Sequence, residues 1–227
     1  MDARLFIAKL GESLYRDGFG STISKGMTAL TRKRVQDDFD VRYGTDTGGI
    51  EPLWKLHISS PNRYRGVRYQ ATGQDELIDA VQFIGDDPQA FTFVDVGCGK
   101  GRTLLVAANL GFKQVIGVEF AAELVAIAKR NAARLGIQNI TVLHRDAAEF
   151  QFPDDDDLMV YFYNPFNREV MSRVCANLCK VCTRKVYVLY NKAECADLLD
   201  QSGMFTWIGV PPCRPRIQIW KSSAYAC

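Results

Sequence analysis

The clearest chemical signature in the chain is the segment Asp95-Val96-Gly97-Cys98-Gly99-Lys100-Gly101. It continues an apolar run, which predicts a buried strand that enters a tight turn and then a helix. Glycines at such a turn let the backbone approach a ligand, and the first N–H groups of the helix face that ligand. We therefore predict that Gly97, Gly99 and Gly101 bind a cofactor, with the Asp95 carboxylate at the head of the turn.

The spacing of these glycines excludes two common nucleotide sites. A dinucleotide-binding turn needs G-x-G-x-x-G, whereas the third glycine here is Gly101 and Arg102 follows it. A phosphate-binding loop needs G-x-x-x-x-G-K-[ST], and this pattern does not occur in the chain. The turn therefore favours a different ligand.

Polar residues also follow the next two apolar runs. Glu119 ends the first of them, and a carboxylate at such a strand end can accept hydrogen bonds from ribose hydroxyls. Asp146 and Ala147 follow the second run. The Asp146 carboxylate can accept a hydrogen bond from the exocyclic amine of a base while the Ala147 N–H donates to the ring of that base. Alternatively, Asp146 is the N-cap of a helix.

This order of motifs resembles that of class I S-adenosylmethionine-dependent methyltransferases, which have a seven-stranded, Rossmann-like fold. The resemblance implies that Asp95 helps to hold the amino-acid end of the cofactor, whose ammonium group suits a carboxylate. It implies that Glu119 binds the ribose and that Asp146 and Ala147 contact the adenine. The implied cofactor is S-adenosyl-L-methionine, with S-adenosyl-L-homocysteine as the product and without a metal.

A fourth apolar run ends in Asn164-Pro165-Phe166. This segment resembles a shortened N-P-P-[FY] tetrapeptide of amino-group methyltransferases, without the second proline. In class I enzymes this strand end faces the transferred methyl group, so the resemblance implies that Asn164 and Phe166 are catalytic and that Asn164 also lies beside the cofactor. The alternative is an Asn-Pro turn that only ends a strand.

Upstream, Tyr69-Gln70-Ala71-Thr72 resembles the Y-x-P-[ST] element of seven-strand and non-SET lysine methyltransferases, with alanine replacing proline. The resemblance implies that Tyr69 and Thr72 position the cofactor. Residues 43–47 and the segment Ser60-Pro61-Asn62-Arg63 are similar to segments of an uncharacterised group of bacterial methyltransferase-like proteins. Residues 42–49 show no helix or strand pattern and form either a surface loop or a lid over the cofactor.

The elements that position these residues alternate between strands and helices, which is typical of a doubly wound, mostly parallel sheet. We predict strands at Thr92–Val96, Gln114–Glu119, Ile140–His144, Leu158–Tyr163, Lys185–Tyr190, Phe205–Val210 and Ile217–Lys221. We predict helices at Glu76–Ile84, Thr103–Leu110, Ala122–Leu135, Arg168–Cys179 and Ala193–Gln201. A proline-rich turn joins the last two strands, which predicts an antiparallel hairpin at the sheet edge.

The length, composition and charge of the chain indicate its class and its domain organisation. The chain has 227 residues, of which 47% are apolar and 24% charged, and this excludes a disordered chain. We predict an α/β methyltransferase domain over residues 73–227, preceded by a helical or loop extension over residues 1–72 that acts as a cap or lid. The net charge of +2 is too small for a dedicated duplex-binding domain. The chain has no membrane-spanning run and no signal core, so we expect a cytoplasmic protein without a membrane partner.

The cysteines offer a second, weaker pattern. Cys175, Cys179 and Cys182 have the C-x-x-x-C-x-x-C spacing that holds a four-iron cluster in radical S-adenosylmethionine enzymes. On a predicted helix the same spacing forms one buried stripe, which is the simpler interpretation. We expect all seven cysteines of the chain to be reduced thiols.

The leading hypothesis is an enzyme that transfers a methyl group from S-adenosylmethionine in line to an amine-type acceptor, such as a protein lysine. A protein or small-molecule acceptor is favoured, on the family resemblance. A nucleic-acid methyltransferase is a competing hypothesis, supported if residues 32–34, 63, 65 and 68 present their arginines on one face. A small-molecule methyltransferase and a non-catalytic module that only binds the cofactor complete the set of hypotheses.

Overall fold

The computed structural model describes residues 38–225 of the chain. Its main sheet has seven strands in the order β5-β4-β3-β6-β7-β9-β8. A separate antiparallel pair joins β1 to β2. In chain order the strands are β1 (Ile50–Glu51), β2 (Tyr69–Gln70), β3 (Phe91–Val96), β4 (Gln114–Glu119), β5 (Ile140–His144), β6 (Asp157–Tyr163), β7 (Val186–Asn191), β8 (Phe205–Gly209) and β9 (Ile217–Ser222).

Five strands, β5, β4, β3, β6 and β7, run parallel to one another. Strand β9 is antiparallel to both β7 and β8, so the hairpin forms one edge of the sheet with β8 outermost. This confirms the predicted mixed sheet with an antiparallel edge hairpin. The antiparallel strand itself, β9, lies one position in from the edge.

In the described part of the chain, six α-helices connect or precede these strands: α1 (Asp38–Tyr43), α2 (Gln74–Ile84), α3 (Arg102–Asn109), α4 (Ala122–Arg134), α5 (Arg168–Cys179) and α6 (Asp197–Gln201). The predicted helix from Ala193 is wrong in its first turn, because Ala196 donates to the Ala193 carbonyl and closes a tight turn before α6 begins. Within residues 38–225 no helix is long and apolar enough to cross a membrane.

Apolar residues cover both faces of the sheet, which explains why β3 and β7 are buried along their whole length. On one face, α5 contributes Val170, Met171 and Val174 to the core. On the other face, α2, α3 and α4 pack together against the sheet. The doubly wound fold thus places the carboxyl ends of the parallel strands at one edge, where ligands bind in this architecture.

Residues 38–72, which we call the cap, pack on that carboxyl edge. The cap pairs with the loop that follows β6: Gly66 forms an isolated antiparallel bridge with Phe166, and the Val67 N–H donates to the Pro165 carbonyl over 3.0 Å. The remainder of the predicted extension, residues 1–37 with Arg32 and Arg34, lies outside the described residues.

The cysteine stripe is part of the core beside α5. Cys175 and Cys182 are buried, Cys179 is half-buried, and every cysteine among the described residues is a free thiol. Helix α5 ends at Cys179, so Cys182 lies in the turn after it. No group of three or more His, Cys, Asp or Glu side chains within residues 38–225 is arranged to hold a metal ion.

Candidate cofactor and acceptor site

The glycine turn, Gly97–Gly101, connects β3 to α3 and has the backbone that its glycines permit. Gly97, Gly99 and Gly101 have φ angles of 91°, 54° and 83°, in the left-handed region that favours glycine. The N–H of Gly97 donates to the Val118 carbonyl over 2.8 Å, which ties the turn to β4. A Cβ on Gly97 would lie 2.8 Å from the Cβ of Pro165, so the loop after β6 closes one side of the turn.

Asp95 is a buried carboxylate at the head of this turn, with only 3% of its surface exposed. It accepts a hydrogen bond from the Thr103 hydroxyl. Burial raises the pKa of Asp95 to about 7; the Thr103 hydrogen bond lowers it, and the Glu119 carboxylate raises it further. Because no cation among the described residues acts on Asp95, its position suits a ligand that carries an ammonium group.

Glu119 is buried at the end of β4 and holds the glycine turn directly. Its Oε2 accepts from the Gly99 N–H over 3.0 Å, and its Oε1 accepts from the Ala121 N–H over 2.9 Å. Burial raises the pKa of Glu119, and these backbone hydrogen bonds partly offset that effect. Each carboxylate oxygen keeps a second lone pair, which leaves acceptors for ribose hydroxyls.

A cleft of about 320 Å³ lies beyond Glu119. It is lined by Ser59, Ser60, Pro61, Phe120, His144, Arg145, Asp146 and Glu149. The cleft therefore joins the cap to the carboxyl ends of β4 and β5. This is where the sequence predicts the adenine, next to Asp146.

Asp146 has two structural partners in this cleft. Its Oδ1 accepts from the Ala148 N–H over 2.9 Å, so Asp146 is the N-cap of a 3-10 turn over Ala147–Glu149, as one of the two sequence interpretations predicts. Its Oδ2 accepts from Asn62 Nδ2 over 2.8 Å and from the Ser60 hydroxyl. Ala147 is buried. The adenine contact of both residues stays a prediction.

Phe120 and Ser60 line the cleft and Asn62 donates to Asp146 beside it, although the sequence analysis assigned none of them to the site. Phe120 directly follows Glu119, and its ring would lie 2.7 Å from a Cβ on Gly66. The similarity of residues 60–63 to other proteins was a signal for Ser60 and Asn62. The spacing could not reveal their partner, because Asn62 and Asp146 are 84 positions apart.

The cap also covers the glycine turn itself. The ring of Tyr69 packs on Gly99, and its hydroxyl donates to the Thr47 carbonyl. Lys100 is fully buried, with its Nζ 3.2 Å from Asp46 Oδ1 and 3.2 Å from Glu51 Oε1. The same Nζ donates to the Gly48 carbonyl over 3.0 Å. The turn and the cap are therefore joined by buried polar contacts.

Thr47 is completely buried, whereas Arg42 and Gly49 at the ends of the segment 42–49 are exposed. Arg42 and Tyr43 belong to α1, so the expectation of no helix in this segment is wrong at its first two residues. The role of the segment as a lid stays a prediction. Asp40 organises this segment by accepting from the Thr47 N–H over 2.8 Å and from the Gly48 N–H over 2.7 Å. Burial alone would raise the pKa of Asp40, but hydrogen bonds from Thr47, Thr45 and Gly48 outweigh it and hold the pKa below its usual value. The Arg102 Nε donates to the Thr47 hydroxyl over 2.8 Å and links the segment to α3.

Thr72 lies where the cap meets α2. It is buried, and its carbonyl accepts from Arg102 Nη1 over 3.4 Å. Thr72 therefore links the end of the cap to the first residue of α3. Direct contact of Tyr69 and Thr72 with a cofactor stays a prediction.

Asn164 follows β6 and has an unusual environment. Its φ of 37° places a non-glycine residue in the left-handed region, and its Oδ1 is buried without a hydrogen-bond partner. Phe166, two residues on, is 9% exposed and packs into the core on the α5 face. The structure thus brings Asn164 beside the glycine turn through Pro165, while Phe166 mainly fills the core.

These features fit S-adenosylmethionine. No lysine or arginine among the described residues pairs with the buried carboxylates of Asp95 and Glu119, and Gly97, in the turn that follows Asp95, is exposed. The strand order, with β9 antiparallel beside the edge, and an acid at the ends of both β3 and β4 define a class I, S-adenosylmethionine-dependent methyltransferase domain.

The family comparison agrees with this class. Residues 93–185 match a family profile described as a methyltransferase domain. The chain therefore contains a methyltransferase domain, which is an enzyme domain of the transferase class, and S-adenosylmethionine is the cofactor that this family implies.

Three proteins similar to this chain have methyltransferase or methylase names. Over 119 residues the chain is 29% identical to a protein-L-isoaspartate O-methyltransferase of Methanococcoides burtonii, covering 46% of this chain and 59% of that protein. Over 116 residues it is 30% identical to an uncharacterized RNA methyltransferase of Caldanaerobacter subterraneus subsp. tengcongensis, covering 51% of this chain and 25% of that protein. A solved ribosomal protein L11 methylase from Lactobacillus delbrueckii subsp. bulgaricus has a TM-score of 0.45 and 17% identity, covering 65% of this chain and 76% of that one. The chain thus spans about 59% and 25% of the lengths of these two curated relatives.

Proposed function

We propose that the protein transfers a methyl group from S-adenosylmethionine to an amine-type acceptor, such as a protein lysine. The observation that carries this proposal is the buried, unpartnered Oδ1 of Asn164 at the strand end beside the glycine turn. An amide oxygen can only accept a hydrogen bond, so the missing partner is a donor such as an acceptor N–H. The left-handed backbone of Asn164 is the kind of strain that proteins retain at functional sites.

In this proposal the chain mainly binds, orients and excludes water. When bound, the cofactor supplies an electrophilic methyl group on a sulfonium. Asp95 holds the ammonium end, Glu119 holds the ribose, and Asn164 orients the acceptor nitrogen so that its lone pair points in line with the methyl group. The new N–C bond leaves S-adenosylhomocysteine as the leaving group, and the methylated nitrogen then loses a proton to water.

We also propose that the cap is part of this site. Its support is the contact of Tyr69 with Gly99, the burial of Lys100 between Asp46 and Glu51, and the hydrogen bond of Asn62 with Asp146. The cap then encloses the cofactor from the glycine turn to the adenine end. The cytoplasmic location expected from the sequence stays a prediction.

The test is to incubate the full chain and tritiated S-adenosylmethionine with cell extract, and then to separate protein, nucleic-acid and small-molecule fractions. Label in protein that survives nuclease treatment, or in a small amine, supports the proposal. Binding of the cofactor without transfer to any fraction would show a non-catalytic binding module instead.

A nucleic-acid acceptor is the second candidate, because a similar protein is named an RNA methyltransferase and arginines adjoin the acceptor side. The Arg65 carbonyl accepts a hydrogen bond from the Asn167 N–H. The Arg65 guanidinium forms a salt bridge with Glu169 over 2.8 Å, so part of its charge is neutralised. Arg68 is exposed next to Val67, which pairs with Pro165. Label that is lost on nuclease treatment would establish this candidate.

A further inference from the structure

Asn191 is a second asparagine whose side-chain oxygen lacks a partner. It is the last residue of β7, it is 1% exposed, and its Oδ1 is buried without a hydrogen bond. In the sheet it is directly opposite Tyr163, so it neighbours the residue just before Asn164. Two unpartnered amide oxygens therefore occur at the carboxyl ends of adjacent parallel strands, which is where ligands bind in open α/β sheets.

The orientation of the Asn191 amide is determined by its neighbours. Its Nδ2 donates to a carboxylate oxygen of Glu76 in α2 and to the Tyr161 hydroxyl over 3.2 Å. Rotating the amide by half a turn would place its oxygen against the Glu76 carboxylate, which is unfavourable because both groups are acceptors. The unpartnered atom is therefore the oxygen.

The backbone conformation is also unusual at the same two strand ends. Within residues 38–225, the non-glycine residues with positive φ are Asn164, at 37°, and Lys192, at 51°, which directly follows Asn191. Buried carbonyl oxygens without donors and left-handed non-glycine residues both cost stability, and proteins retain them mainly at functional sites. In this chain the unpartnered oxygens and the left-handed residues both occur at the carboxyl ends of β6 and β7.

We propose that Asn164 and Asn191 together bind one acceptor nitrogen that donates two hydrogen bonds, which makes the acceptor a primary amine. This inference rests on the proposed methyl transfer. In a neutral primary amine with both N–H groups engaged by the two oxygens, the lone pair is the one direction left for attack on the methyl group. A hydroxyl has a single proton, and a secondary amine has a single N–H in its reactive neutral form, so each would leave one oxygen unpartnered.

The same geometry limits the reaction to one methyl group. Attack by R–NH2 forms the new N–C bond, breaks the S–CH3 bond, and gives R–NH2–CH3 with a positive charge, which releases a proton to water. The neutral product has one N–H. It would leave one amide oxygen without a donor if it bound again, so a second transfer is disfavoured.

The binding test uses sinefungin, an analogue in which a carbon bearing a primary ammonium replaces the sulfonium, and S-adenosylhomocysteine, whose thioether sulfur carries no ammonium at that position. Calorimetry on the full chain is expected to show sinefungin binding at least tenfold more tightly. Asn164→Ala and Asn191→Ala should each reduce this preference at least threefold while the affinity for S-adenosylhomocysteine stays unchanged, which also shows that the variants are folded. Asn164→Asp keeps an acceptor oxygen and should keep the preference.

Asn139→Ala is the matched control, because this asparagine bonds the Phe112 carbonyl at the other end of β4 and β5. It should leave the preference unchanged. Equal affinity for the two ligands in the wild-type chain, or a preference that neither active-site variant alters, would overturn the two-acceptor site. Absence of binding by S-adenosylhomocysteine itself would instead contradict the proposed function.

The product test is independent of any variant. The acceptor labelled in cell extract is hydrolysed, and its methylated amines are separated. Monomethylated primary amines as the sole labelled products support the inference. A dimethylated nitrogen carrying two labelled methyl groups would overturn it.

Discussion

The ring of Tyr69 lies directly on the backbone of Gly99. A Cβ built on Gly99 would be 2.2 Å from both Cδ2 and Cε2 of that ring, far inside van der Waals contact. Gly99 also has a φ of 54°, and its N–H donates to Glu119. The contact therefore requires glycine for two independent reasons, and it joins the cap to the glycine turn.

Comparing alanine substitutions at Gly99 and Gly136 separates the backbone strain from the steric clash with the ring. Gly99→Ala should lower the free energy of unfolding by about 3 kcal/mol, because backbone strain and a clash with the ring add. Gly136→Ala is the control, since Gly136 has a φ of 66° and nothing within 4 Å of its Cβ position. Gly136→Ala should lower the free energy of unfolding only by the cost of the backbone strain, about 1 kcal/mol. Urea unfolding measures both, and equal losses would contradict the steric contact.

Lys100→Met tests the tie between cap and turn. The substitution removes a fully buried ammonium from two carboxylates, Asp46 and Glu51, that are partly exposed. We expect a loss of about 2–4 kcal/mol in the free energy of unfolding. Lys113→Met is the control, because Lys113 is exposed and its pair with Asp156 is open to solvent and salt. A loss for Lys100→Met as small as that of the control would show that the cap does not depend on Lys100.

Glu119→Ala tests the cofactor site. It removes the partner of the Gly99 N–H and the carboxylate that we propose binds the ribose. The affinity for S-adenosylmethionine should fall by roughly 1–3 kcal/mol, as hydrogen bonds to charged groups are lost. Calorimetry at matched protein concentration measures this, with circular dichroism to show that the fold is intact. An unchanged affinity in a folded variant would remove Glu119 from the site.

The raised pKa of Asp95 makes stability depend on pH. Burial raises it from 3.8 to about 7, so between these values the folded chain binds more protons than the unfolded chain. The stability linked to Asp95 is therefore fully present below about pH 4 and is lost as pH rises through 7. Relative to Asp95→Asn, the wild-type chain should lose stability between pH 4 and pH 8. A difference that is constant with pH would contradict the raised pKa.

Asn164→Ala separates binding of the acceptor from binding of the cofactor. A group that touches only the acceptor contributes to the transition state and not to cofactor affinity. Once the labelling experiment has provided a substrate, turnover by Asn164→Ala should fall at least tenfold while calorimetry shows nearly unchanged cofactor affinity. Full activity would mean that Asn164-Pro165-Phe166 only ends a strand.

The fold could be predicted largely from the sequence because its elements have local signatures. The predicted strand Ile140–His144 and helix Arg168–Cys179 have the observed bounds, since turn residues and N-caps such as Asn167 delimit them. The proline-rich turn correctly indicated the hairpin of β8 and β9. Helix α6 was predicted too long because tight turns, which have the same polar composition as a first helical turn, precede it.

The cap could not be predicted in the same way because its contacts are distant in sequence. Nothing near Asp46 indicates that it approaches Lys100, and nothing near Asn62 indicates Asp146. The unpartnered oxygen of Asn191 is likewise invisible in a strand that reads as a uniform apolar run. Such features depend on which atoms lack a neighbour, and a single sequence does not carry that information.

The large sequence separation between the cap and its partners also affects the order of folding. Asp46 is hydrogen-bonded to Asn131, 85 positions away, and Asn62 to Asp146, 84 positions away. Closing loops of this length is entropically costly and slow, so we expect the sheet to form before the cap docks. A chain growing on the ribosome would expose residues 38–72 before the sheet, yet their docking would wait until Phe166, which pairs with Gly66, had been synthesised. Docking of the cap is then the final folding step, and a ligand that contacts the cap would stabilise this step rather than formation of the sheet.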